Sequence, residues 1–254
     1  MPRTEGHRRG MKAALAMLDS AIACGVKYLT LYAFSSENWK RPKEEVAFLM
    51  KMCEGMIIKE LPMLIKKNIR LRHVGRMEEL PESLQRCMRN AIELTQNNHR
   101  LNLQLAFNYG SRVEILDAVK KIALAVKKDE LASDQITEHV FSDALYTKGI
   151  PDPDLLIRTS GEMRVSNYLL WQIAYAEIYV VKKFWQDFFR LNAGCRCALR
   201  YANFAAACMV FMCSSHASRL AAWRSPASVL WRQALRTDWR ARAASSSAAI
   251  SRSH

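Results

Sequence analysis

Strand-like and helix-like segments alternate along residues 26–158. The strand-like segments are short runs of aliphatic, β-branched and aromatic residues, and the helix-like segments repeat apolar residues three and four positions apart. Strands that are separated by helices of this length predict a parallel sheet with helices on both faces and a ligand site at the carboxyl ends of the strands. We therefore predict an α/β fold around a central parallel sheet, with strands at 26–34, 69–74, 101–107 and 155–158 and helices at 44–67, 80–97, 113–127 and 136–145.

The composition is typical of a soluble globular protein. The chain has 254 residues, half of them apolar, which is enough for a large core. The longest apolar run, residues 201–213, is too short to cross a bilayer and lacks the flanks of a signal peptide. Seven cysteines without paired spacing argue against a disulfide framework and a structural metal. We expect a cytoplasmic protein with free thiols.

The net charge of +14 is unevenly distributed. Residues 191–254 hold nine Arg, no Lys and one acidic residue, so more than half of the excess positive charge lies there. The rest of the chain is only mildly basic, which suits a protein that binds small anions better than one that wraps a nucleic acid. A nucleic-acid binder that uses the Arg-rich tail is an alternative, and its binding would depend steeply on salt.

The sequence changes character near residue 190. Residues 191–254 contain no Lys or Glu, are rich in Ala, Ser and Arg, and keep no period of 2 or 3.6 residues for long. One explanation is a disordered basic tail, although three Trp and four Cys are unusual for disorder. We favour translation in a shifted reading frame. The prediction is one domain at residues 1–190, with no function assigned to residues 191–254.

Cations and hydroxyls follow the predicted strand at 155–158. In "IPDPDLLIRTSGEMRVSN", Arg158 and Arg164 flank Gly161 and are followed by Ser166. A tight turn at the glycine would let backbone N–H groups and both guanidiniums converge on one anion, such as a diphosphate. The alternative is a solvated loop with two incidental arginines.

A second polar group follows the strand at 26–34. The stretch "AFSSENWKRP" contains two serines, Asn38, Trp39 and Arg41, at a position where a parallel sheet places its site. The same residues are also suited to capping the helix after Pro42. The two functions are compatible.

Three further segments contain candidate site residues. In "RTEGHRRG", Arg3 and His7 precede a helical stretch whose backbone donors would share an anion with them, although a lone histidine is more often structural. In "NYGSR", Gly110 permits a close turn, and Ser111 is better explained as a helix N-terminus. Glu177 lies in the apolar stretch "LLWQIAYAEIYV", where a carboxylate is costly without a cation or donors, so it is the best candidate for a metal ligand.

Four stretches together resemble the cis-prenyltransferases of the bacterial undecaprenyl diphosphate synthase type. They are "GHRRG", "LTLYAFSSENWKRPKEEV", "NYGSR" and "PDPDLLIRTSGEMRVSNYLLWQIAYAEIYV". The resemblance covers about residues 3–188, and the order of the four motifs makes it specific. The chain has no aspartate-rich DDxxD stretch, which argues against the unrelated trans-prenyltransferases.

The resemblance implies a homodimeric, Mg²⁺-dependent enzyme that elongates an allylic diphosphate, such as farnesyl diphosphate, with isopentenyl diphosphate in cis geometry. It implies no nucleic-acid partner, and membrane contact only at the periphery through the lipid product. Apolar faces of the helices at 44–67 and 80–97 would line a tunnel for the growing chain. Asn38 matches a residue that helps to remove the proton, and Glu177 matches a Mg²⁺ ligand. The matches to substrate-binding positions are Arg3, His7, Ser35, Ser36, Glu37, Trp39, Arg41, Arg158, Arg164, Val165 and Ser166.

Two departures from the family pattern bear on activity. Family members carry a first strand and a loop similar to "MDGNGRWA" before the "GHRRG" region, and a basic segment similar to "RxRRFG" at the end. The chain begins at Met1, beyond the first of these, and we expect the reading frame to be lost after Phe189. The expected consequences are a sheet without its first strand, a missing Mg²⁺ ligand and a defect in turnover. A non-catalytic subunit that binds prenyl diphosphates is the alternative.

Overall fold

The computed structural model describes residues 3–187 and 206–210. These residues belong to the first of the two compact units into which the chain divides, Met1–Cys213. The side chain of Arg3, a predicted site residue, and most of the predicted tail, residues 191–205 and 211–254, lie outside the described residues. None of the described helices combines the length and hydrophobicity needed to span a membrane.

The predicted alternation of strands and helices is confirmed, and the predicted boundaries agree with the structure to within two residues. Such differences are ordinary at element ends. The helices are α1 Arg3–Ala23, α2 Lys43–Lys66, α3 Glu82–Thr95, α4 Ser111–Lys127 and α5 Glu138–Ala144. The strands are β1 Tyr28–Ser35, β2 Ile69–Val74, β3 Leu101–Tyr109, β4 Leu155–Arg158, β5 Glu177–Val180 and β6 Ala206–Val210.

The described strands form one sheet in the order β2-β3-β1-β6-β4-β5, and all neighbouring pairs are parallel. Leu29 of β1, Ala207 of β6 and Leu155 of β4 lie side by side. Among the described strands the sheet is continuous from β1 to β4, because β6 pairs with both of them. Neither β5 nor β6 was predicted, and β6 lies in the tail, where the sequence keeps no period for long.

The two faces of the sheet carry cores of different size. Leu31 and Leu105 point to the face covered by α1, α2 and α3, where the larger core lies. Tyr32, Ala106 and Leu156 alternate with these positions and point to the opposite face, where they form a smaller core. The period of two in each strand thus divides its side chains between the two cores.

Helix α1 begins at Arg3, so "RTEGHRRG" lies inside the helix. The prediction that this segment precedes the helix is therefore wrong. The helix tolerates Gly6 and Gly10 because tertiary contacts hold it. The indole N–H of Trp185 donates to the carbonyl oxygen of Gly10 at 2.7 Å. The N–H of His7 is therefore part of the helical ladder, whereas the first four N–H groups of the helix have no partner within it.

Glu114 of α4 is a fully buried carboxylate. It accepts hydrogen bonds from the hydroxyl of Tyr109, the backbone N–H of Tyr146 and the amide of Gln172. Burial raises the pKa of Glu114 above its ordinary value in spite of these donors. Because the folded-state pKa is the higher one, the stability that Glu114 contributes is full below the ordinary glutamate pKa and is lost as pH rises through the folded-state pKa.

We expect the free energy of unfolding of Glu114→Gln to depend less on pH between the ordinary glutamate pKa and the raised pKa of Glu114. The variant cannot ionise at this position, and it also places an amide N–H₂ against donors, so its stability falls by about 1–3 kcal/mol. Urea titrations at several pH values give the free energy of unfolding of both proteins. Equal pH slopes in the two proteins would contradict the assignment.

Candidate active site

The carboxyl ends of β1, β3 and β4 lie at the same end of the parallel sheet. Two side-chain hydrogen bonds join the segments that follow these strands. The indole N–H of Trp39, after β1, donates to Asn108 at the end of β3 at 2.7 Å. The amide of Asn167, after β4, donates to the carboxylate of Glu37 at 2.6 Å. These hydrogen bonds therefore join the segments that follow the three strands.

Arg158, the last residue of β4, is a buried cation that is only 5% exposed. Its Nη2 donates to the hydroxyl of Ser166 at 3.3 Å, and its buried Nε has no hydrogen-bond partner among the described residues. No carboxylate of the described residues lies within ion-pair distance of it. Burial lowers the pKa of Arg158; the negative charge of Glu162 opposes this shift, and the positive charge of Arg164 adds to it. A buried guanidinium with an unused donor and a hydroxyl beside it is an arrangement that favours a bound anion.

The loop after β4 uses its own backbone donors in the fold. It turns through Ser160 and Gly161, both with left-handed φ angles of 67° and 68°. Their N–H groups donate to the carbonyl oxygens of Lys183 and Val181, each at 2.8 Å. The prediction that backbone N–H groups at Gly161 converge on the anion is therefore wrong, because the chain after β5 takes these donors.

Two predicted site residues of this loop have other neighbours. The guanidinium Nε of Arg164 lies 3.2 Å from the carboxylate of Glu162, and the Arg164 side chain is largely exposed. Val165 packs against the smaller core on the Tyr32 face of the sheet. Arg164 is thus placed at the rim near Arg158, whereas Val165 acts as a packing residue.

Residues Ser36–Lys40 form a 3₁₀ turn that Ser35 caps. The Ser35 hydroxyl accepts from the N–H of Glu37 at 3.2 Å, and the Asn38 side-chain oxygen accepts from the N–H of Ser35 at 3.1 Å. The predicted capping by "SSEN" therefore serves this turn and not α2, whose flanking residue is Pro42. The turn needs its own cap because it is separated from α2 by Arg41 and Pro42.

The carboxylate of Glu37 holds neighbouring segments together. It accepts hydrogen bonds from the hydroxyls of Ser35 and Ser36 and from the amide of Asn167. Burial would raise the pKa of Glu37, but these hydrogen bonds together lower it. Glu37 is therefore an ionised anchor, and a like-charged diphosphate would not be its direct partner.

His7, Asn38 and Arg41 line one cavity of about 540 Å³, whose remaining wall is mostly apolar. The imidazole Nε2 of His7 and the guanidinium Nη1 of Arg41 lie 3.7 Å and 2.7 Å from the same carboxylate oxygen of Glu45. The structure thus brings three predicted residues from α1 and the β1–α2 segment together. Arg158 and Ser166 are not in the lining of this cavity and form a second group beside it.

An apolar cavity of about 710 Å³ continues from the first and shares Met11, Ala33, Met56 and Leu105 with it. Helices α1 and α2 and strands β1 to β3 line it. The prediction that α2 lines an apolar tunnel is consistent with this cavity, but the prediction for α3 is wrong. The apolar face of α3 packs against α2 and β2 instead, and α1 supplies the missing wall.

Glu177 does not lie at this end of the sheet. It opens β5 opposite Leu155, whereas Arg158 pairs with Val180 at the carboxyl end. Its side chain is exposed, so the expected burial is wrong because β5 is an edge strand. In residues 3–187 and 206–210, no three His, Cys, Asp or Glu side chains come together as a metal site.

Sequence analysis missed three residues that build the site. Glu45 bridges His7 and Arg41, Asn108 receives the Trp39 indole, and Asn167 binds Glu37. Asn108 was quoted in "NYGSR" without a role, and its φ of 52° marks a bulge in β3. The spacing of Arg41 and Glu45, four residues apart at a helix start, was the one signal that could have revealed the ion pair.

Comparison with known proteins gives consistent relatives. A family model described as "Putative undecaprenyl diphosphate synthase" matches residues 1–203. The ditrans,polycis-undecaprenyl-diphosphate synthase of Micrococcus luteus, which is (2E,6E)-farnesyl-diphosphate specific, is 46% identical over 74% of this chain and 76% of that protein. An isoprenyl transferase of Thermotoga maritima is 47% identical over 74% of this chain and 80% of that protein.

Two solved structures share the fold. Lavandulyl diphosphate synthase from Lavandula x intermedia, solved in complex with dimethylallyl diphosphate, has a TM-score of 0.75 and 35% identity over 78% of this chain and 86% of that one. A probable undecaprenyl diphosphate synthase from Campylobacter jejuni has a TM-score of 0.62 and 31% identity over 70% of this chain and 82% of that one.

Gly110 tests whether close packing between the three segments matters. A Cβ at this position would lie 2.4 Å from the Ser36 hydroxyl and 3.0 Å from the Asn167 amide. We expect Gly110→Ala to separate the segments and to lower the free energy of unfolding by about 1–3 kcal/mol. The control is Gly55→Ala in α2, where a Cβ meets nothing within 4 Å. It should raise stability by up to about 1 kcal/mol, and urea titration compares the two variants. Wild-type stability in Gly110→Ala would count against the packing.

Proposed function

The chain belongs to the undecaprenyl diphosphate synthase family of isoprenyl transferases, and we propose that it binds the two diphosphate substrates of cis-prenyl elongation in separate groups of residues. Isopentenyl diphosphate would bind at Arg158 and Ser166. The allylic diphosphate would bind at His7, Asn38 and Arg41, with its hydrocarbon tail in the apolar cavity. The observation that carries the proposal is the buried guanidinium of Arg158, whose Nε has no hydrogen-bond partner in the described part of the chain.

The chemistry of a diphosphate matches the Arg158 group. A guanidinium donates several N–H groups in a fixed fork, and charge-assisted hydrogen bonds to phosphate oxygens are stronger than neutral ones. The Ser166 hydroxyl adds a donor beside it, and the exposed Arg164 side chain can reach a bound anion at the rim. The nearest charged carboxylate, Glu162, pairs with Arg164, and among the described residues none lies within ion-pair distance of Arg158.

The apolar cavity supports an isoprenoid tail as the second ligand. Its wall is formed mainly by aliphatic side chains and methionines, with Trp185 and Glu60 also in the lining. The cavity opens towards the polar side chains of His7, Asn38 and Arg41. An amphipathic allylic diphosphate would place its charge at the polar residues and its hydrocarbon inside. Exclusion of water from such a cavity also protects an allylic carbon that gains positive character as the diphosphate leaves.

Asn38 is proposed to orient the reacting groups. Elongation forms a carbon–carbon bond between the allylic carbon and the isopentenyl unit. The allylic carbon–oxygen bond breaks with release of inorganic diphosphate, and a proton is removed from the isopentenyl unit. A carboxamide is not a base at neutral pH, so Asn38 would position the group that takes the proton, such as a diphosphate oxygen. The hydrogen bond from the Ser35 N–H fixes the Asn38 side-chain oxygen and turns the amide towards the cavity that Asn38 lines.

Mg²⁺, a homodimer and a cytoplasmic location with peripheral membrane contact remain part of the proposal on the strength of the family resemblance. When bound, Mg²⁺ would neutralise diphosphate charge. The homodimer is supported by the edge strand β5, where Ile178 and Val180 are exposed. A non-catalytic subunit that binds diphosphates is the second candidate. The residues proposed to bind the two diphosphates are present, whereas no cluster of three metal-ligating side chains is found among the described residues.

Arg158→Gln tests the isopentenyl diphosphate group. Loss of a charge-assisted hydrogen bond, worth about 1.5–3 kcal/mol, is expected to weaken isopentenyl diphosphate binding roughly 10- to 100-fold in titration calorimetry. The control is Arg86→Gln on the exposed face of α3, where the arginine pairs with Glu82, and it should bind like the wild type. Equal affinities in all three proteins would refute the proposal. A parallel turnover assay with farnesyl diphosphate and Mg²⁺ separates the candidates, because binding without product formation selects the non-catalytic subunit.

Ala14→Phe tests the tail cavity. Ala14 of α1 lines its wall, and a phenyl ring there would displace part of a farnesyl chain, at a cost of about 0.8 kcal/mol per CH₂ left exposed. We expect at least about tenfold weaker binding of farnesyl diphosphate, and unchanged binding of isopentenyl diphosphate. Leu124→Phe, at an exposed position of α4, is the control. Unchanged farnesyl diphosphate binding in Ala14→Phe would place the tail elsewhere.

A further inference from the structure

We propose that Asn167 is a positioning residue that fixes the loop between Arg158 and Ser166 in its anion-binding form. The inference rests on the proposed function, because it concerns the group of residues assigned above to isopentenyl diphosphate. Asn167 itself does not contact Arg158. It acts through Ser166, the residue before it, whose hydroxyl lies 3.3 Å from the Arg158 guanidinium.

Asn167 binds two other segments with three hydrogen bonds. Its amide nitrogen donates to the carboxylate of Glu37 at 2.6 Å. Its side-chain oxygen accepts from the backbone N–H of Arg112 at 2.8 Å, and its backbone oxygen accepts from the N–H of Ser111 at 2.9 Å. These two N–H groups lie in the first turn of α4 and have no partner within the helix. A single side chain thus ties the loop after β4 to the 3₁₀ turn after β1 and to the start of α4 after β3.

The backbone explains why the loop needs this anchor. Ser166 and Asn167 both adopt left-handed conformations, with φ angles of 58° and 57°. Side chains with a Cβ disfavour this region, and asparagine tolerates it better than serine does. Two such residues in succession are retained only when their surroundings hold them. Without the contacts of Asn167, Ser166 is free to return to an extended conformation, which would carry its hydroxyl away from Arg158.

Close packing shows that the anchor fits one geometry. Gly110 lies so near Asn167 that a Cβ on the glycine would stand 3.0 Å from the Asn167 amide nitrogen. The amide group therefore fills the space between Gly110 and Glu37. A side chain of another length at position 167 cannot reach both the Glu37 carboxylate and the Arg112 N–H. A negatively charged side chain of the same length would repel the Glu37 carboxylate.

Asn167→Gly tests the inference, because glycine accepts the left-handed backbone and only the side chain is lost. The matched control is Asn68→Gly. Asn68 is also left-handed, with φ 58°, and its side-chain oxygen accepts from the N–H of His99 at 2.8 Å, but it precedes β2 at the opposite end of the sheet. Titration calorimetry of the full chain with isopentenyl diphosphate should show about tenfold weaker binding for Asn167→Gly, equivalent to about 1.4 kcal/mol. Asn68→Gly should bind like the wild type, and farnesyl diphosphate should bind all three proteins equally.

An exchanged pair distinguishes positioning from a general structural effect. Asn167→Asp keeps the acceptor for Arg112 but sets a carboxylate against Glu37, so it should bind isopentenyl diphosphate more weakly than the wild type. In the double variant Asn167→Asp with Glu37→Gln, the amide at position 37 donates to the carboxylate at position 167. This contact should recover most of the affinity for isopentenyl diphosphate. Wild-type affinity in Asn167→Gly, or no recovery in the double variant, overturns the inference. If the wild type binds no isopentenyl diphosphate, the proposed function fails and the inference fails with it.

Discussion

The buried guanidinium of Arg158 is the constraint around which this end of the sheet is arranged. A charge that leaves water loses several kcal/mol of solvation unless other groups replace it. Among the described residues the replacement is partial, since the Ser166 hydroxyl is one partner and the Nε has none. Under the proposed function, the bound diphosphate supplies further stabilisation.

The parallel sheet makes such a site possible with few residues. Because all described strands run in the same direction, the segments after β1, β3 and β4 meet although they are far apart in sequence. Hydrogen bonds between side chains then fix their mutual positions, as Trp39 does with Asn108 and Asn167 does with Glu37. The sheet supplies the approximate arrangement, and these contacts supply the precise one.

Local patterns explain what could be predicted from the sequence. Strands such as Ile69–Val74 and helices such as Lys43–Lys66 have enough residues to display their period, so their limits were found. Polar residues directly after a strand, such as Ser35 and Arg158, were found because a parallel sheet exposes those positions. Asn167 and Glu45 act through partners on other segments, which no local pattern reveals. Glu177 was misplaced because an apolar neighbourhood in sequence does not distinguish an edge strand from a buried one.

The two groups of cations differ in a way that suits two different diphosphates. Arg41 and His7 share the carboxylate of Glu45, whereas Arg158 has no carboxylate partner among the described residues. A diphosphate at Arg41 competes with Glu45 for the cation, so its binding is weakened by the energy of that ion pair. A diphosphate at Arg158 displaces no such ion pair, because Glu162 acts on Arg158 only from a distance and contacts Arg164 instead. Under the proposed function, the diphosphate that leaves lies at the paired cations, and the diphosphate that stays on the growing chain lies at the guanidinium without an ion pair. This difference favours release of the leaving group without loss of the elongating substrate.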